Sequence, residues 1–254
     1  INRIIMLLYT LIIIIILYII INYLIATLAF NPPSLTYTVK DIDYLYDNIA
    51  IKIIKKNSDN VILFNHNNAD DIGICKNYCN WLSKFTDCSV ILYDYIGYGL
   101  SYNGTLNEYN LLKSADIVYS FTIEKLNINP NNLYIMGKSL GTVPAIYLSN
   151  YKNNGLFLIS PMLSGIRIYY DIPFLDNLCF PNNLRIRDSK NKIAIIHGTV
   201  DKLINVRHTY ELLKIIKIYC PKNYYEPLII KAGHNNIEIN HTNLFINYVN
   251  NFIH

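Results

Sequence analysis

Charge is scarce in this chain. Asp, Glu, Lys and Arg make up only 16% of its 254 residues, with a formal net charge of +4. The basic residues are spread along the sequence, which excludes the clustered footprint of a nucleic-acid-binding surface. Cysteine is too sparse and irregular for a disulfide framework. The five present (Cys75, Cys79, Cys88, Cys179, Cys220) are an odd number and fit a reducing compartment better. Cys75 and Cys79 would share a helical face, but no His or Cys partner stands at ligand spacing. They read as small buried apolar residues rather than a metal pair. No internal repeat is visible, and the abundance of Ile and Asn reads as coding by an AT-rich genome.

The longest gap in charge is local. Ile4 through Phe30 holds no charged residue, and as a helix rising about 1.5 Å per residue it is long enough to cross a hydrocarbon core of roughly 30 Å. A cleaved signal peptide has a shorter apolar region and a small-residue cleavage site, and neither is evident. Residues 1–30 are therefore read as a membrane anchor helix and 31–254 as one domain, with a break at Asn31-Pro32-Pro33-Ser34.

Beyond the break, Tyr37 to Val39 and Ile49 to Ile54 read as strands of an antiparallel edge. Val61–Phe64, Val90–Tyr93, Leu133–Met136, Leu156–Ile159, Ile193–Ile196 and Leu228–Ile230 read as buried strands. Helices are expected over 71–85, 107–125, 142–151, 206–219 and 241–252. Short apolar runs alternating with amphipathic helices predict an α/β fold with a mainly parallel sheet covered on both faces. One long insertion, 161–191, is read either as a small helix packed on the core or as one wall of an acyl-chain groove.

Gly137-Lys138-Ser139-Leu140-Gly141 stands between an apolar strand run and a helix-compatible stretch. That is the strand–turn–helix setting of a nucleophile elbow, which exposes the serine hydroxyl and needs glycines where a side chain would clash. Asp201 follows the run 193–196, and His234 follows 228–230. Ser, Asp, His in that order, each at a strand end, is the order of an α/β-hydrolase triad. Ser139 needs a base within reach, which is assigned to His234. Asp201 would hold that imidazole in its working tautomer. Asp94 is a rival acid, read as structural because it precedes the nucleophile. The two N–H donors for an oxyanion are assigned to Leu140, directly after the serine, and Asn68, in the loop after the first parallel strand. No cofactor and no metal are expected.

These motifs resemble the α/β-hydrolase-domain proteins of type seventeen, the palmitoyl-protein depalmitoylase group. The likeness runs from Leu28-Ala29-Phe30-Asn31-Pro32-Pro33 through Asp94-Tyr95-Ile96-Gly97-Tyr98-Gly99, the elbow, Ser160-Pro161-Met162-Leu163-Ser164-Gly165 and His197-Gly198-Thr199-Val200-Asp201 to Gly233-His234-Asn235-Asn236-Ile237-Glu238. The resemblance implies hydrolysis of fatty-acyl thioesters on S-acylated membrane-associated proteins, with Ser139, Asp201 and His234 in the catalytic roles. It also favours a cytosolic domain, for which no glycan is expected at Asn103 or Asn240. Two departures stand out. Asn67 replaces the glycine usual before Asn68, and no cysteine precedes Cys75, so the apolar segment replaces the acylated-cysteine anchor of the family. Lipid or small-ester hydrolysis, and a catalytically dead anchored scaffold, are the alternative readings.

Overall fold

The structure, a computed structural model, describes residues 2–101 and 104–254. Asn103, one of the two candidate glycosylation positions, lies outside them. Eight strands form one sheet in the order β1-β2-β4-β3-β5-β6-β7-β8. These are β1 (Tyr44–Tyr46), β2 (Ile49–Ile54), β3 (Val61–Asn65), β4 (Ser89–Tyr93), β5 (Leu133–Lys138), β6 (Gly155–Ile159), β7 (Ile193–Gly198) and β8 (Leu228–Ile230). The β1–β2 and β2–β4 pairings are antiparallel and all others parallel.

The strands read as unbroken apolar runs because both faces are covered. Val61 and Leu63 face the core shared with α3 (Glu108–Ser120), α4 (Thr142–Leu148) and α7 (Arg207–Tyr219). Ile62 and Phe64 face the opposite core, under α2 (Ile72–Thr86) and α9 (Thr242–Ile253). This period-two division of one strand between two cores is what helices on both faces require. Cys75 and Cys79 lie on the buried face of α2, and burial pushes both thiols up.

The first expected strand does not form. Thr38 instead bonds through both its N–H and Oγ1 to the Asp41 carboxylate, at 3.0 Å each, and residues 39–41 turn into a 3-10 helix. Short polar side chains compete with the ladder in this way. The edge strand comes later, at Tyr44–Tyr46, where Asp47 and Asn48 (φ 46° and 60°) make the two-residue left-handed turn that a hairpin favours. The helix after the elbow ends at Leu148, short of Tyr151.

Helix α1 (Asn2–Ala29) meets the domain at its end, where Ala29 packs against the first core. Arg3–Ile21 is long and apolar enough to cross a membrane by length and composition, a test that a signal sequence also passes. Phe30, one residue past the helix, is buried and meets Phe180 edge-on at 5.9 Å. The insertion over 161–191 folds into short turns, including α5 (Gly165–Tyr169) and α6 (Asn182–Arg185). Met162, Leu163, Ile166 and Phe180 are buried in the core, whereas Tyr169 and Phe174 are exposed.

Candidate active site

Strand register brings the site together. Asn65 pairs with Gly137, so the loop after β3 opens beside the elbow after β5. Gly198 pairs with Ile230, and Thr199 and Val200 donate to the carbonyls of Ile230 and Ala232. The Asp201 and His234 loops are thereby fastened side by side at the same sheet edge.

At the elbow, Ser139 is forced to φ 53°, a conformation that L side chains adopt at a cost of order 1–3 kcal/mol. The turn is tight enough that a methyl at Gly141 would run into the Asn65 and His66 carbonyls. One at Gly137 would meet the Gly141 carbonyl and Ala145. Both glycines are thus needed for close approach rather than for positive φ. Thr142 Oγ1 donates to the Ser139 carbonyl at 2.6 Å and helps fix the turn.

His234 Nε2 lies 2.9 Å from Ser139 Oγ, and its Nδ1 lies 2.6 Å from Asp201 Oδ2. With the carboxylate as acceptor, Nδ1 carries the proton and Nε2 is free to accept from the serine hydroxyl. Asp201 Oδ1 accepts from the Leu203 and Ile204 N–H groups at 2.9 Å each. Burial opposes ionisation of Asp201, but hydrogen bonds from His197 and His234 outweigh it and hold the carboxyl below the usual carboxylate range. His197 is an unforeseen part of this arrangement. It is fully buried, its Nε2 lies 3.3 Å from Asp201 Oδ2 and donates to the Ile204 carbonyl at 2.8 Å, and its Nδ1 lies 2.7 Å from Thr209 Oγ1. The i,i+4 spacing of His197 and Asp201 was the available signal.

His66 is the second supporting residue that sequence reasoning passed over. Its Nδ1 donates to the Asn67 carbonyl at 2.7 Å. That carbonyl shares a planar peptide with the Asn68 N–H, so the bond fixes the direction of the N–H assigned to the oxyanion. The His66 ring stacks on Tyr95 at 4.0 Å, and burial lowers its pKa to about 4, keeping it neutral. Asn67 does not occupy a left-handed conformation. Its Oδ1 accepts from Ala69 N–H at 2.9 Å and its Nδ2 donates to Asp70 at 2.6 Å. The freedom of the missing glycine is therefore not used in this loop.

Asp94 is bonded to groups other than His234. It accepts from Ile72 N–H at 2.9 Å and from the Tyr37 hydroxyl, and burial pushes its carboxyl up to about 7. It ties the N-terminal segment and α2 to the β4 loop.

Lys138, just before the serine, reaches Glu238 at 2.8 Å; both are largely buried. Glu238 lies in α8 (Ile237–Asn240), four residues past His234, so the pair fastens the histidine loop to the elbow. Removing one partner of a buried pair leaves an uncompensated charge and costs about 3–5 kcal/mol. Lys138→Met should therefore lower thermal stability by that amount, and Lys138→Met with Glu238→Leu should recover most of it. Melting of the detergent-solubilised chain checks both.

Ser139, Leu140, His234, Asn67 and Asn68 share a cavity of about 550 Å³ with Met162, Ile168, Tyr169 and Phe180 of the insertion. Its wall also includes Leu28 and Ala29, the last turn of α1. Four of the five residues assigned from sequence (Ser139, Leu140, Asn68 and His234) thus line one pocket, with Asp201 outside its wall on His234 Nδ1, and the insertion both packs on the core and lines it.

No family model matches the chain. Alpha/beta hydrolase domain-containing protein 17C of mouse and of human are each 33% identical over 183 residues, 70% of this chain. Protein 17B of human is 33% identical over 188 residues, 72% of this chain. These alignments cover 55%, 54% and 63% of the respective relatives, so the chain spans little more than half of their length. Among solved structures, an esterase of Pyrococcus furiosus superposes with a TM-score of 0.67 at 17% identity, over 88% of this chain and 98% of that one. Mouse alpha/beta hydrolase domain-containing protein 10 superposes at 0.55 with 15% identity, over 81% and 93%. At such identities the structural likeness speaks for the fold alone. The chain thus has the α/β-hydrolase fold, and in sequence it is similar to alpha/beta hydrolase domain-containing proteins 17B and 17C.

Proposed function

We propose that the chain is a membrane-anchored serine hydrolase that removes S-linked fatty acyl groups from membrane-associated proteins. The observation that carries this reading is the Ser139–His234–Asp201 hydrogen-bond chain, whose serine and histidine line a pocket of mixed polar and apolar wall that the end of α1 helps to close. In the reaction, His234 Nε2 takes the Ser139 proton as Oγ attacks the acyl carbonyl. The developing oxyanion is met by the Leu140 and Asn68 N–H groups. Collapse of the tetrahedral intermediate breaks the C–S bond, His234 protonates the leaving thiolate, and an acyl-Ser139 ester remains. Water, deprotonated by His234, then hydrolyses that ester and releases the fatty acid.

Two features support a retained anchor over a cleaved signal. Leu28 and Ala29 are part of the pocket wall, and Phe30 is part of the core. Cleavage within this turn would remove part of the pocket wall, and cleavage past Phe30 would also remove a core aromatic ring. The domain is assigned to the cytosolic side, where S-acylated peripheral proteins reside. Hydrolysis of lipid or small oxygen esters is the second reading, because the same triad serves both bonds. A dead scaffold is disfavoured by the preformed triad and by the Asn67 loop, which keeps its peptide geometry without glycine.

Deleting residues 1–21 removes the apolar span and keeps the pocket turn. That truncation should lower turnover of a vesicle-bound acyl thioester at least tenfold while changing turnover of a soluble short ester less than twofold, because tethering raises local concentration. Equal losses on both substrates would remove the anchor from the mechanism.

A further inference from the structure

The end of the apolar helix is a structural part of the candidate active site, which fixes more than tethering. Helix α1 has 28 residues, about 42 Å at 1.5 Å per residue, close to the roughly 40–45 Å of a bilayer with its headgroups. Its two threonines are suited to lipid: Thr10 and Thr27 return their hydroxyls to the Met6 and Tyr23 carbonyls at 2.9 Å. The apolar window closes at Ile21, and Leu28 lies seven residues further, about 10 Å along the axis. When the window fills the hydrocarbon core, the turn that lines the pocket thus lies about 10 Å from that core, just outside a headgroup layer of about 5–7 Å.

Two residues of the wall of the same pocket, Tyr169 and Leu203, are large, apolar and exposed. α5 packs against α1 and presents Tyr169 at 51% exposure, followed by Tyr170 at 67% and Phe174 at 82%. In the Asp201 loop, Leu203 is exposed by 61%, and Val200, three residues before it, by 52%. Large apolar side chains exposed singly are ordinary, but a group that starts on the wall of one pocket and continues along the adjoining chain marks a surface that meets something apolar. Aromatic rings with polar tips suit the membrane interface in particular.

We infer that the mouth of the pocket is held against the bilayer, with Tyr170 and Phe174 inserted at the interface, so that an acyl chain passes from the lipid into the pocket without crossing water. The occupant of this surface is the lipid interface itself, because the helix continuous with the pocket wall leads directly into it. The inference deepens the hydrolase reading and rests on it for the acyl chain, but the orientation can be measured without catalysis.

All five native cysteines are buried, so Phe174→Cys supplies an accessible thiol for an environment-sensitive fluorophore. Lys222→Cys is the control. It is exposed and next to Asn223, which shares a recess with Tyr134 at the far strand ends. In phosphatidylcholine vesicles, the label at 174 should be quenched by headgroup-nitroxide lipid and shielded from aqueous iodide, with the reverse at 222. A label at 174 open to iodide and untouched by nitroxide lipid, in protein that floats with the vesicles, overturns the inference and leaves a protein partner for the patch. Failure of the intact chain to float overturns it as well.

A second measurement uses activity. Tyr170→Asp with Phe174→Asp should reduce turnover of a vesicle-embedded long-chain thioester about tenfold and leave a soluble short ester within twofold. Unchanged turnover of the embedded substrate contradicts the inference. Absence of any ester turnover in the unmodified chain defeats the hydrolase reading instead, while the quenching result still decides the orientation.

Discussion

Ser139→Ala should lower ester and thioester turnover by on the order of 10³-fold or more, since groups acting as a unit in a triad lose nearly everything together. His234→Ala should fall almost as far, and the double variant should be little worse than either single one. The reason lies in the geometry. The hydroxyl is 2.9 Å from Nε2, and without that base it is a poor nucleophile at neutral pH. Neither change should unfold the chain, because the elbow is held by the Thr142–Ser139 bond and by close approach at the two glycines rather than by the Ser139 side chain. Initial rates on a soluble ester, with a melting curve for each variant, check the expectation. Additive losses would mean that the two side chains do not act on one step.

Asp201→Asn should cost about 10³–10⁴ in kcat with little change in KM. An asparagine can keep its Oδ1 on the Leu203 and Ile204 N–H groups, which are 2.9 Å from the native carboxylate oxygen. Its amide nitrogen then faces His234 Nδ1 as a donor. That forces the proton onto Nε2, where it can no longer be received from Ser139. The same substitution has a signature in acid stability. The folded carboxyl sits below its unfolded value of about 3.9, so Asp201 adds stability above that pH and loses it as pH falls through the folded value. Asp201→Asn should therefore flatten the acid limb of the stability curve. A variant with full kcat would show that the acid works elsewhere, with Asp94 the nearest alternative in sequence.

The parallel strands were legible because burial on both faces writes them as unbroken runs such as Val61–Phe64 and Ile193–Ile196. The elbow was legible because its chemistry is local: five consecutive residues hold the glycines, the serine and one donor. Tyr37–Val39 was misread because its apolar alternation gave no sign that Thr38 and Asp41 would bond to each other first. The true edge strand was carried by the Asp47-Asn48 turn, a signal in backbone handedness rather than hydrophobicity. Supporting roles were harder still. His66 acts through a peptide plane, and Lys138 meets Glu238 across 100 positions of sequence; neither relation has a periodicity to detect. That Leu28 and Ala29 would line the pocket was invisible, because the apolar stretch reads the same whether it ends in solvent or against α5.

Every catalytic role proposed above depends on Ser139 being an activated nucleophile. Treating the intact chain with a fluorophosphonate probe and mapping the adduct by peptide mass spectrometry tests this without any assumption about substrate. A single adduct on the peptide carrying Ser139, absent after Ser139→Ala and slowed at least a hundredfold by His234→Ala, is the result expected. An unlabelled Ser139, or a probe seated on another serine, would contradict it.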